Sequence, residues 1–267
     1  MQYVSDIHLE MRQTFPRIKK LCSNLVLAGD IGSPKSLIYK QFIEYCASNW
    51  KNVFVVYGNH EYYNRNDECF TMKSFDNESK YFPNNVYFMN NSVLYLYKNS
   101  EVSEILREPS VSENPIKIIG SVLWSDITDF VASKMNDYKK IYTHRGNVGQ
   151  PLLLTPKITR FLFDTNKNYI LRELYSEPEL KCVIITHHGT HSLCQGHFKG
   201  SHLESGYATD IPELFQAKNL IACINGHTHS SIDITLGNEI KLLANCLGYP
   251  GENQKIVKYN ENAFLKL

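Results

Sequence analysis

Three short apolar runs near the start of the chain constrain the fold more than any other feature of the sequence. Each run is bounded by polar residues or glycine, as buried strands are. Between the second and third runs, Ser33 and Pro34 predict the N-cap and first position of a helix over 35–49. Strand, helix and strand at this spacing form a βαβ unit, so the sequence predicts an α/β protein. The three runs are Tyr3–Ser5, Leu25–Ala28 and Val53–Tyr57.

The rest of the chain continues this pattern. A long amphipathic helix is predicted from Thr155-Pro156 to about Tyr175, and the polar segment 98–115 is predicted to be a loop or hairpin insertion. No linker or repeat divides the chain, so residues 1–267 are predicted to form a single domain. Further strands are predicted at Val86–Met89, Val93–Tyr97, Ile116–Ile119, Cys182–Thr186, Leu220–Ile224, Ile232–Thr235, Ile240–Leu243 and Ile256–Tyr259.

Charge, apolar runs and cysteine content argue against a nucleic-acid partner, a membrane and an oxidising compartment. Lys plus Arg is 28 and Asp plus Glu is 27, so the net charge of +1 does not indicate nucleic acid as a partner. No apolar run reaches the roughly 18–20 residues of a membrane span, so no membrane is expected. The seven cysteines include no C-x-x-C pair, which predicts reduced thiols and a cytoplasmic protein.

Five polar stretches follow directly after five of the apolar runs. In α/β sheets the carboxyl ends of the strands and the loops beyond them form the ligand crevice. Five strands are therefore expected to bring Asp, His and Asn side chains to one edge. The stretches are Asp6-Ile7-His8, Gly29-Asp30, Gly58-Asn59-His60-Glu61, His187-His188 and Gly226-His227-Thr228-His229.

The residue types and spacing in these stretches predict a metal site. Asp6 and His8 are two residues apart, so in extended backbone both side chains point the same way and can bind one ion. His227 and His229 have the same spacing. Carboxylate and amide oxygens mixed with imidazole nitrogens suit Mn²⁺, Fe or Zn²⁺. The absence of cysteine from these stretches argues against a structural zinc site.

The five stretches resemble the signature of the calcineurin-like metallophosphoesterases, which reads D-x-H, G-D, G-N-H-[DE], H and G-H-x-H in that order. The matching residues extend from Asp6 to His229. Four further stretches also resemble a soluble subgroup of that family: Ser5–Glu10, Met135–Tyr138, Thr186–His188 and Asn245 through Gly248-Tyr249. The resemblance implies an αββα fold, in which a two-sheet β-sandwich is flanked by helices.

The resemblance also implies a dinuclear metal centre that hydrolyses a phosphomonoester or a phosphodiester. The centre would hold two divalent or trivalent ions. Mn²⁺ is the favoured metal, with Fe, Zn²⁺ or Mg²⁺ as alternatives. A hydroxide bridging the ions would attack phosphorus, and His60 would protonate the leaving oxygen as general acid. The first ion would be bound by Asp6, His8, Asp30 and His229, and the second by Asp30, Asn59, His187 and His227.

Several neighbouring side chains have two interpretations. We take His187 as the ligand, so that His188 would contact the substrate or support the ring of a ligand. Asn136 and Asp137 would either reach the substrate from the side of the cleft or cap a local turn. Glu61 is expected to orient the loop of the general acid rather than bind metal.

Three other functions share parts of this signature. A protein-binding scaffold would have lost ligands, whereas every ligand position here is kept. Ser/Thr protein phosphatases usually carry an arginine beside the G-D and G-N-H motifs, where this chain has Ile31-Gly32 and Tyr62. A nuclease has little support from a single domain with a net charge of +1. A phosphoester of unknown identity therefore remains the expected substrate.

Overall fold

The computed structural model describes residues 1–63, 82–98, 103–106, 114–145 and 151–267, which form two main β-sheets, a small hairpin and flanking helices. No helix in these ranges is long and apolar enough to cross a membrane. The strands are β1 (Gln2–Val4), β2 (Asn24–Ala28), β3 (Asn52–Val56), β4 (Val86–Met89), β5 (Ser92–Lys98), β6 (Ser103–Leu106), β7 (Ile116–Gly120), β8 (Tyr142–Arg145), β9 (Pro151–Leu153), β10 (Cys182–Ile185), β11 (Leu220–Asn225), β12 (Ile232–Thr235) and β13 (Lys241–Ala244). The α-helices are α1 (Leu37–Asn49), α2 (Asp129–Ala132), α3 (Asp137–Lys140), α4 (Pro156–Ser176) and α5 (Gln254–Val257).

The first sheet contains four parallel strands in the order β1-β2-β3-β4. Leu25 of β2 pairs with Gln2 of β1 and with Val53 of β3, and Val53 pairs with Val86 of β4. The helix α1 joins β2 to β3, which confirms the predicted βαβ unit. Because parallel strands end at the same edge of a sheet, the residues after β1, β2 and β3 lie close together.

The second sheet contains seven strands in the order β12-β13-β11-β10-β7-β5-β6. The four strands β13, β11, β10 and β7 run parallel to one another. The strands β12, β5 and β6 pair antiparallel on the two sides, and β8 and β9 form a separate antiparallel hairpin. The residues that follow β10 and β11 therefore also meet at one edge.

Alternate residues of the central strands face two different cores, as the period of two in a strand requires. Burial of each large apolar side chain contributes about 1.5–3 kcal/mol to stability. One core contains residues of both sheets, among them Val26, Ala28, Val183 and Ile185. The other packs strand residues with the helices, and includes Leu25, Leu27, Ile184, Phe42 of α1 and Phe163 of α4. The expected two-sheet sandwich flanked by helices is confirmed.

The end of β1 also pairs with the segment that follows β13. Ser5 N–H donates to Asn245 O (3.1 Å), and Leu247 N–H donates to Ser5 O (3.0 Å). Gly248 N–H then donates to Asp6 O (2.9 Å). These hydrogen bonds connect the first sheet to the second beside the edge where the polar stretches gather, so the segment after β13 becomes part of that edge.

Most predicted elements agree with the structure to within a residue or two. The helix beginning at Pro156 is confirmed, with Thr155 as its N-cap. The strand predicted at Ile256–Tyr259 is wrong, because Gln254–Val257 forms α5. Asn253 caps this helix by accepting the N–H of Lys255, which favours a helical turn over extended backbone.

The start of α1 differs from the prediction as well. Ser33 was expected to be the N-cap, but Ser36 has that role and accepts the N–H of Tyr39. Ser33 O instead accepts the N–H of Ser36 (3.0 Å), which forms a turn before the helix. Ser33 and Ser36 both offer a side-chain oxygen that could cap the helix. Because residues 33–36 form a turn, the helix begins after Ser36.

Part of the predicted insertion 98–115 is described. Ser103–Leu106 forms β6 and pairs antiparallel with β5, with Ser103 opposite Lys98, as in a hairpin. Residues 99–102 and 107–113 lie outside the described residues.

Lys117 of β7 is a fully buried charge at the C-terminal end of α4. Its Nζ donates to Glu177 Oε2 (2.6 Å), Ser176 Oγ (2.8 Å) and Glu173 O (2.8 Å). A cation is favoured there by the helix dipole. Partial burial raises the pKa of Glu177, but hydrogen bonds from Lys117 and Tyr95 outweigh this effect and lower that pKa below its ordinary value.

We expect Glu177→Gln to lower the free energy of unfolding by about 1–2 kcal/mol at pH 7, because Lys117 loses the nearer of its two carboxylate partners and keeps only Glu173 at 3.6 Å. The pKa of Glu177 is lower in the folded state than in the unfolded state, so its contribution is present at neutral pH and is lost as the pH falls through the folded-state pKa. The difference between variant and wild type should shrink below about pH 4. Urea unfolding at pH 7 and at about pH 3.5 measures the free-energy difference between variant and wild type at each pH.

Glu179→Gln is the matched control, since Glu179 is an exposed glutamate two residues further along. It should leave the free energy of unfolding unchanged at both pH values. A loss for Glu177→Gln that is the same at both pH values would contradict the assigned ion pair.

Candidate metal centre

Three of the predicted ligands lie on turns directly after β1 and β2. Asp6, His8 and Asp30 have φ values of 53°, 51° and 53°, in the left-handed region that residues with side chains rarely adopt. Asp6 N–H donates to Gly29 O (3.0 Å) and His8 N–H donates to Asp30 O (3.0 Å), so the two turns hold each other. Such backbone strain persists only where the surroundings fix it, and it is concentrated at functional sites.

The turn after β11 has the same character. His227 and His229 have φ values of 70° and 47°. The carboxylate of Asp6 accepts the N–H of His227 with both oxygens, at 3.0 and 3.1 Å. Asp6 therefore fixes the position of this turn relative to β1, in addition to presenting its own oxygen atoms to the site.

The ligand atoms of the first predicted set converge. Asp6, His8 and His229 offer atoms that all lie within 4.8 Å of one another. His229 Nε2 is 3.6 Å from Asp6 Oδ1, and His8 Nε2 is 4.0 Å from Asp30 Oδ2.

The second predicted set converges on the other side of Asp30. Asp30, His187 and His227 offer ligand atoms within 4.8 Å of one another. His187 Nε2 is 3.4 Å from Asp30 Oδ1 and 3.1 Å from Asn59 Oδ1. The structure thus brings all seven side chains together, and Asp30 lies between the two groups as the resemblance implied.

Hydrogen bonds behind His8 and His229 determine which ring nitrogen carries the proton. His8 Nδ1 lies 3.2 Å from Glu10 Oε1, and His229 Nδ1 lies 2.7 Å from Glu252 Oε2. A carboxylate only accepts, so each Nδ1 donates and each neutral ring keeps its lone pair on Nε2. The two Nε2 atoms are 2.9 Å apart, where their lone pairs repel each other. A cation at this point would remove the repulsion, so these donors fit a metal ion.

A second pair of acceptors faces each other at His187 and Asn59. His187 Nδ1 donates to Ala28 O (2.9 Å), which leaves the lone pair on Nε2. Asn59 Nδ2 donates to Asp137 Oδ1 (2.8 Å), which turns Asn59 Oδ1 toward His187 Nε2. Burial lowers the pKa of His187, but the carboxylate of Asp30 outweighs it and raises that pKa to about 9. Without a metal ion, His187 Nε2 therefore holds a proton and donates it to Asn59 Oδ1, and a bound metal ion would take the place of that proton.

Glu61 connects the two ligand turns from below. Its carboxylate accepts backbone N–H groups from Gly58 (2.7 Å), Ile31 (2.7 Å) and Asp30 (3.0 Å). Gly58 follows β3, whereas Asp30 and Ile31 follow β2. Glu61 therefore holds the ends of both strands together, which is a broader positioning role than the sequence predicted.

His60, the predicted general acid, lies beside Asp30 at the edge of the site and is 9% exposed. His60 Nδ1 is 2.9 Å from Glu10 Oε1, and its Nε2 is 3.9 Å from Asp30 Oδ2 and 3.3 Å from the hydroxyl of Tyr249. Burial lowers the pKa of His60, but Asp30 and Glu10 outweigh it and raise that pKa above its ordinary value. A histidine that holds its proton in this position is suited to donate it.

Three residues to which the sequence assigned no role complete the site. Glu10 shares one carboxylate oxygen between His8 and His60, and Glu252 fixes the tautomer of His229. Tyr249 packs its ring 4.2 Å from the ring of His8. Glu10 and Tyr249 lie in stretches that resemble the subgroup of the family, whereas no spacing relates Glu252 to the motifs.

The predicted substrate residues occupy different surroundings. Asn136 is exposed and lines a cleft of about 240 Å³ above the metal ligands. Asp137 is buried, and its Oδ1 accepts from Asn59 Nδ2 and from the hydroxyl of Tyr63 (2.6 Å), so it orients a ligand. His188 is buried behind His227, with ring centroids 4.2 Å apart, which fits ring support better than substrate contact.

A family model for calcineurin-like phosphoesterases matches residues 3–231. The match covers most of the chain and includes every predicted ligand, so the chain belongs to the calcineurin-like phosphoesterase family. An uncharacterized protein of Acanthamoeba polyphaga mimivirus is 28% identical over 97% of this chain and 94% of that protein.

Two solved structures have similar folds. The phosphopantetheinyl hydrolase of Mycobacterium tuberculosis has a TM-score of 0.62 and 14% identity, covering 93% of this chain and 89% of that one. A putative 5′-nucleotidase from Staphylococcus aureus, in complex with alpha-ketoglutarate, has a TM-score of 0.50 and 13% identity, covering 91% of this chain and 47% of that one. At these identities the likeness shows the fold alone, and it agrees with the implied sandwich.

Gly58 tests whether the converging side chains bind metal. A Cβ at this position would overlap Asp30 Oδ1 and lie 2.6 Å from His187 Nε2. We expect Gly58→Ala to weaken Mn²⁺ binding at least about tenfold, because the two ligands must move apart. Calorimetric titration of the metal-free protein with Mn²⁺ measures the affinity, and circular dichroism checks that the variant is folded.

Gly237→Ala is the matched control, because a Cβ at Gly237 meets no atom within 4 Å. Its Mn²⁺ affinity should equal that of the wild type. If the folded Gly58→Ala protein also bound Mn²⁺ as the wild type does, Asp30 and His187 would not be ligands.

Proposed function

We propose that this protein is a metal-dependent phosphoester hydrolase with a dinuclear centre. The observation that carries the proposal is the buried pair of acceptor contacts, His8 with His229 and His187 with Asn59, beneath an open cleft. A metal ion between acceptor atoms held this close would replace the proton that otherwise separates them. Membership of the calcineurin-like phosphoesterase family supports phosphoester chemistry.

The two ligand groups would each hold one ion, with Asp30 shared between them. When bound, the ions would supply Lewis-acid activation of a phosphoryl oxygen and of a water molecule. Mixed oxygen and imidazole donors suit Mn²⁺, with Fe, Zn²⁺ and Mg²⁺ as the other candidates. The groups are Asp6, His8, Asp30 and His229 for one ion, and Asp30, Asn59, His187 and His227 for the other.

The chain's own residues would move the proton and orient the substrate. His60 Nε2 faces the cleft beside Asp30, so it would give its proton to the leaving oxygen of the ester. Glu10 accepts from His60 Nδ1 and keeps the ring in this orientation. Asn136, at the rim of the cleft, would contact the substrate.

A reducing, cytoplasmic compartment is part of the proposal. The six cysteines in the described residues are all free thiols. Five of them, Cys46, Cys182, Cys194, Cys223 and Cys246, are buried among apolar side chains, where burial raises the pKa of each thiol. Unpaired buried cysteines are typical of proteins kept reduced in the cytosol.

The proposal predicts two bound ions and phosphoester cleavage that depend on Asp30. Metal analysis of the purified protein, with a phosphomonoester and a phosphodiester assayed in parallel in added Mn²⁺, gives both quantities. Asp30→Asn should abolish cleavage, because the carboxylate shared by the two ligand groups loses its charge. A wild type that binds fewer than two ions and cleaves neither ester would overturn the enzyme and favour a protein-binding scaffold.

His60→Gln separates the proton donor from the metal ligands. The variant should keep its metal content and lose rate mainly on esters with poor leaving groups, by about 10²–10⁴-fold, because only those need a proton. Esters of nitrophenol and of a simple alcohol provide the comparison. His202→Gln, at an exposed histidine outside the cleft, is the control. Equal losses on both esters would show that His60 is not the acid.

A further inference from the structure

The cleft above the metal ligands has a polar floor and an apolar wall. Its floor contains Asp30, Asn59 and His60. One wall is built from Phe198, Leu203 and Tyr207, which are only partly buried. Partly exposed aromatic and aliphatic side chains beside a catalytic site mark a binding surface, because their burial by a ligand is favourable.

The aromatic rings of this wall form a continuous row that ends at a metal ligand. The rings of Phe198 and Tyr207 stack with their centroids 3.6 Å apart and their planes 10° apart. Tyr207 in turn lies 4.8 Å from the ring of His227, and His197 lies 4.0 Å from Phe198 at the outer end. A phosphate group bound at His227 would therefore leave its organic portion alongside these rings.

The wall is held in place by the same segments that support the ligands. Gly206 O accepts from His227 Nε2 (3.1 Å), and Tyr207 O accepts the N–H of Gly189 (3.0 Å), which follows His188. The N–H of Tyr207 donates to Glu204 O (3.0 Å). A wall fixed to the metal centre in this way is preorganised, so a ligand need not order it on binding.

The charges around the cleft limit the substrate further. Among the described residues that line it, Lys134 is the one Lys or Arg side chain. A substrate with several phosphates, or a polynucleotide, would need more cations to neutralise it than the described cleft residues and the proposed metal ions offer. The cleft is therefore suited to a small ester with a single phosphate.

We infer that the cleft selects small phosphate esters whose organic portion is a flat, uncharged aromatic group lying along Phe198 and Tyr207. This inference rests on the proposed function, since the phosphate is taken to bind at the metal ligands. The rings supply selectivity for the organic portion, and the floor supplies the phosphate contacts. Phe198 is the specificity-determining residue that can be changed without touching a metal ligand.

Three non-hydrolysable probes test the inference in the presence of Mn²⁺: methylphosphonate, cyclohexylmethylphosphonate and benzylphosphonate. We expect benzylphosphonate to bind about tenfold more tightly than methylphosphonate, and more tightly than the more hydrophobic cyclohexyl probe, because a flat ring packs along the aromatic wall. Equilibrium binding by calorimetry measures the preference without relying on turnover. Equal affinities for benzylphosphonate and methylphosphonate, or stronger binding of the cyclohexyl probe, would overturn it.

Phe198→Leu keeps apolar volume and removes the ring, so it should lose at least about threefold of the benzyl preference while methylphosphonate binding stays unchanged. Phe161→Leu is the control, because Phe161 is a 68% exposed phenylalanine on α4 outside the cleft. An unchanged benzyl preference in Phe198→Leu would overturn the assignment of the wall.

Parallel assays of nitrophenyl phosphate hydrolysis distinguish failure of the inferred substrate class from failure of the proposed hydrolase function. A wild type that hydrolyses this ester but binds all three phosphonates equally would overturn the substrate class and leave the proposed function standing. A wild type that neither hydrolyses it nor binds any phosphonate would overturn both.

Discussion

Lone pairs that face one another inside a buried site are the interaction on which this structure depends. His8 Nε2 and His229 Nε2 are 2.9 Å apart, and His187 Nε2 is 3.1 Å from Asn59 Oδ1. In each pair the groups behind the ring or amide carry the hydrogen bonds, so rotation or a change of tautomer would break a buried contact. A cation bound between the facing atoms would relieve this repulsion.

The rest of the edge is arranged to maintain that geometry. Left-handed backbone at Asp6, His8 and Asp30 turns each side chain inward directly after its strand. Glu61 accepts N–H groups from the turns after both β2 and β3, which gives those turns a common buried anchor. The two cores of the sandwich supply the stability that such strain requires.

The apolar runs predicted the βαβ unit and the grouping of the candidate metal ligands, because each of these residues follows an apolar run, whereas the sandwich was implied by the family resemblance. The sequence could not predict the partners of those ligands. Glu252 is 23 positions from His229, and no periodicity relates the two. Local signals were also ambiguous where two choices were close in energy, as with Ser33 and Ser36 at α1. The apolar pair at Ile256 and Val257 resembled a strand, but the Asn253 cap made a helix.

The segment that follows β13 contributes to the centre without containing any of the candidate ligands. The residues expected to contact the ions all lie within the stretch that the family model matches, whereas Tyr249 and Glu252 lie beyond it. The matched stretch therefore supplies the candidate ligand atoms, and the segment after β13 determines how one of them, on His229, is protonated and what lies beside His60. Two proteins with identical motifs but different tails would thus have the same ligands with different basicity. Substitutions in the segment after β13 would therefore change the reactivity of the centre while the motif residues stayed the same.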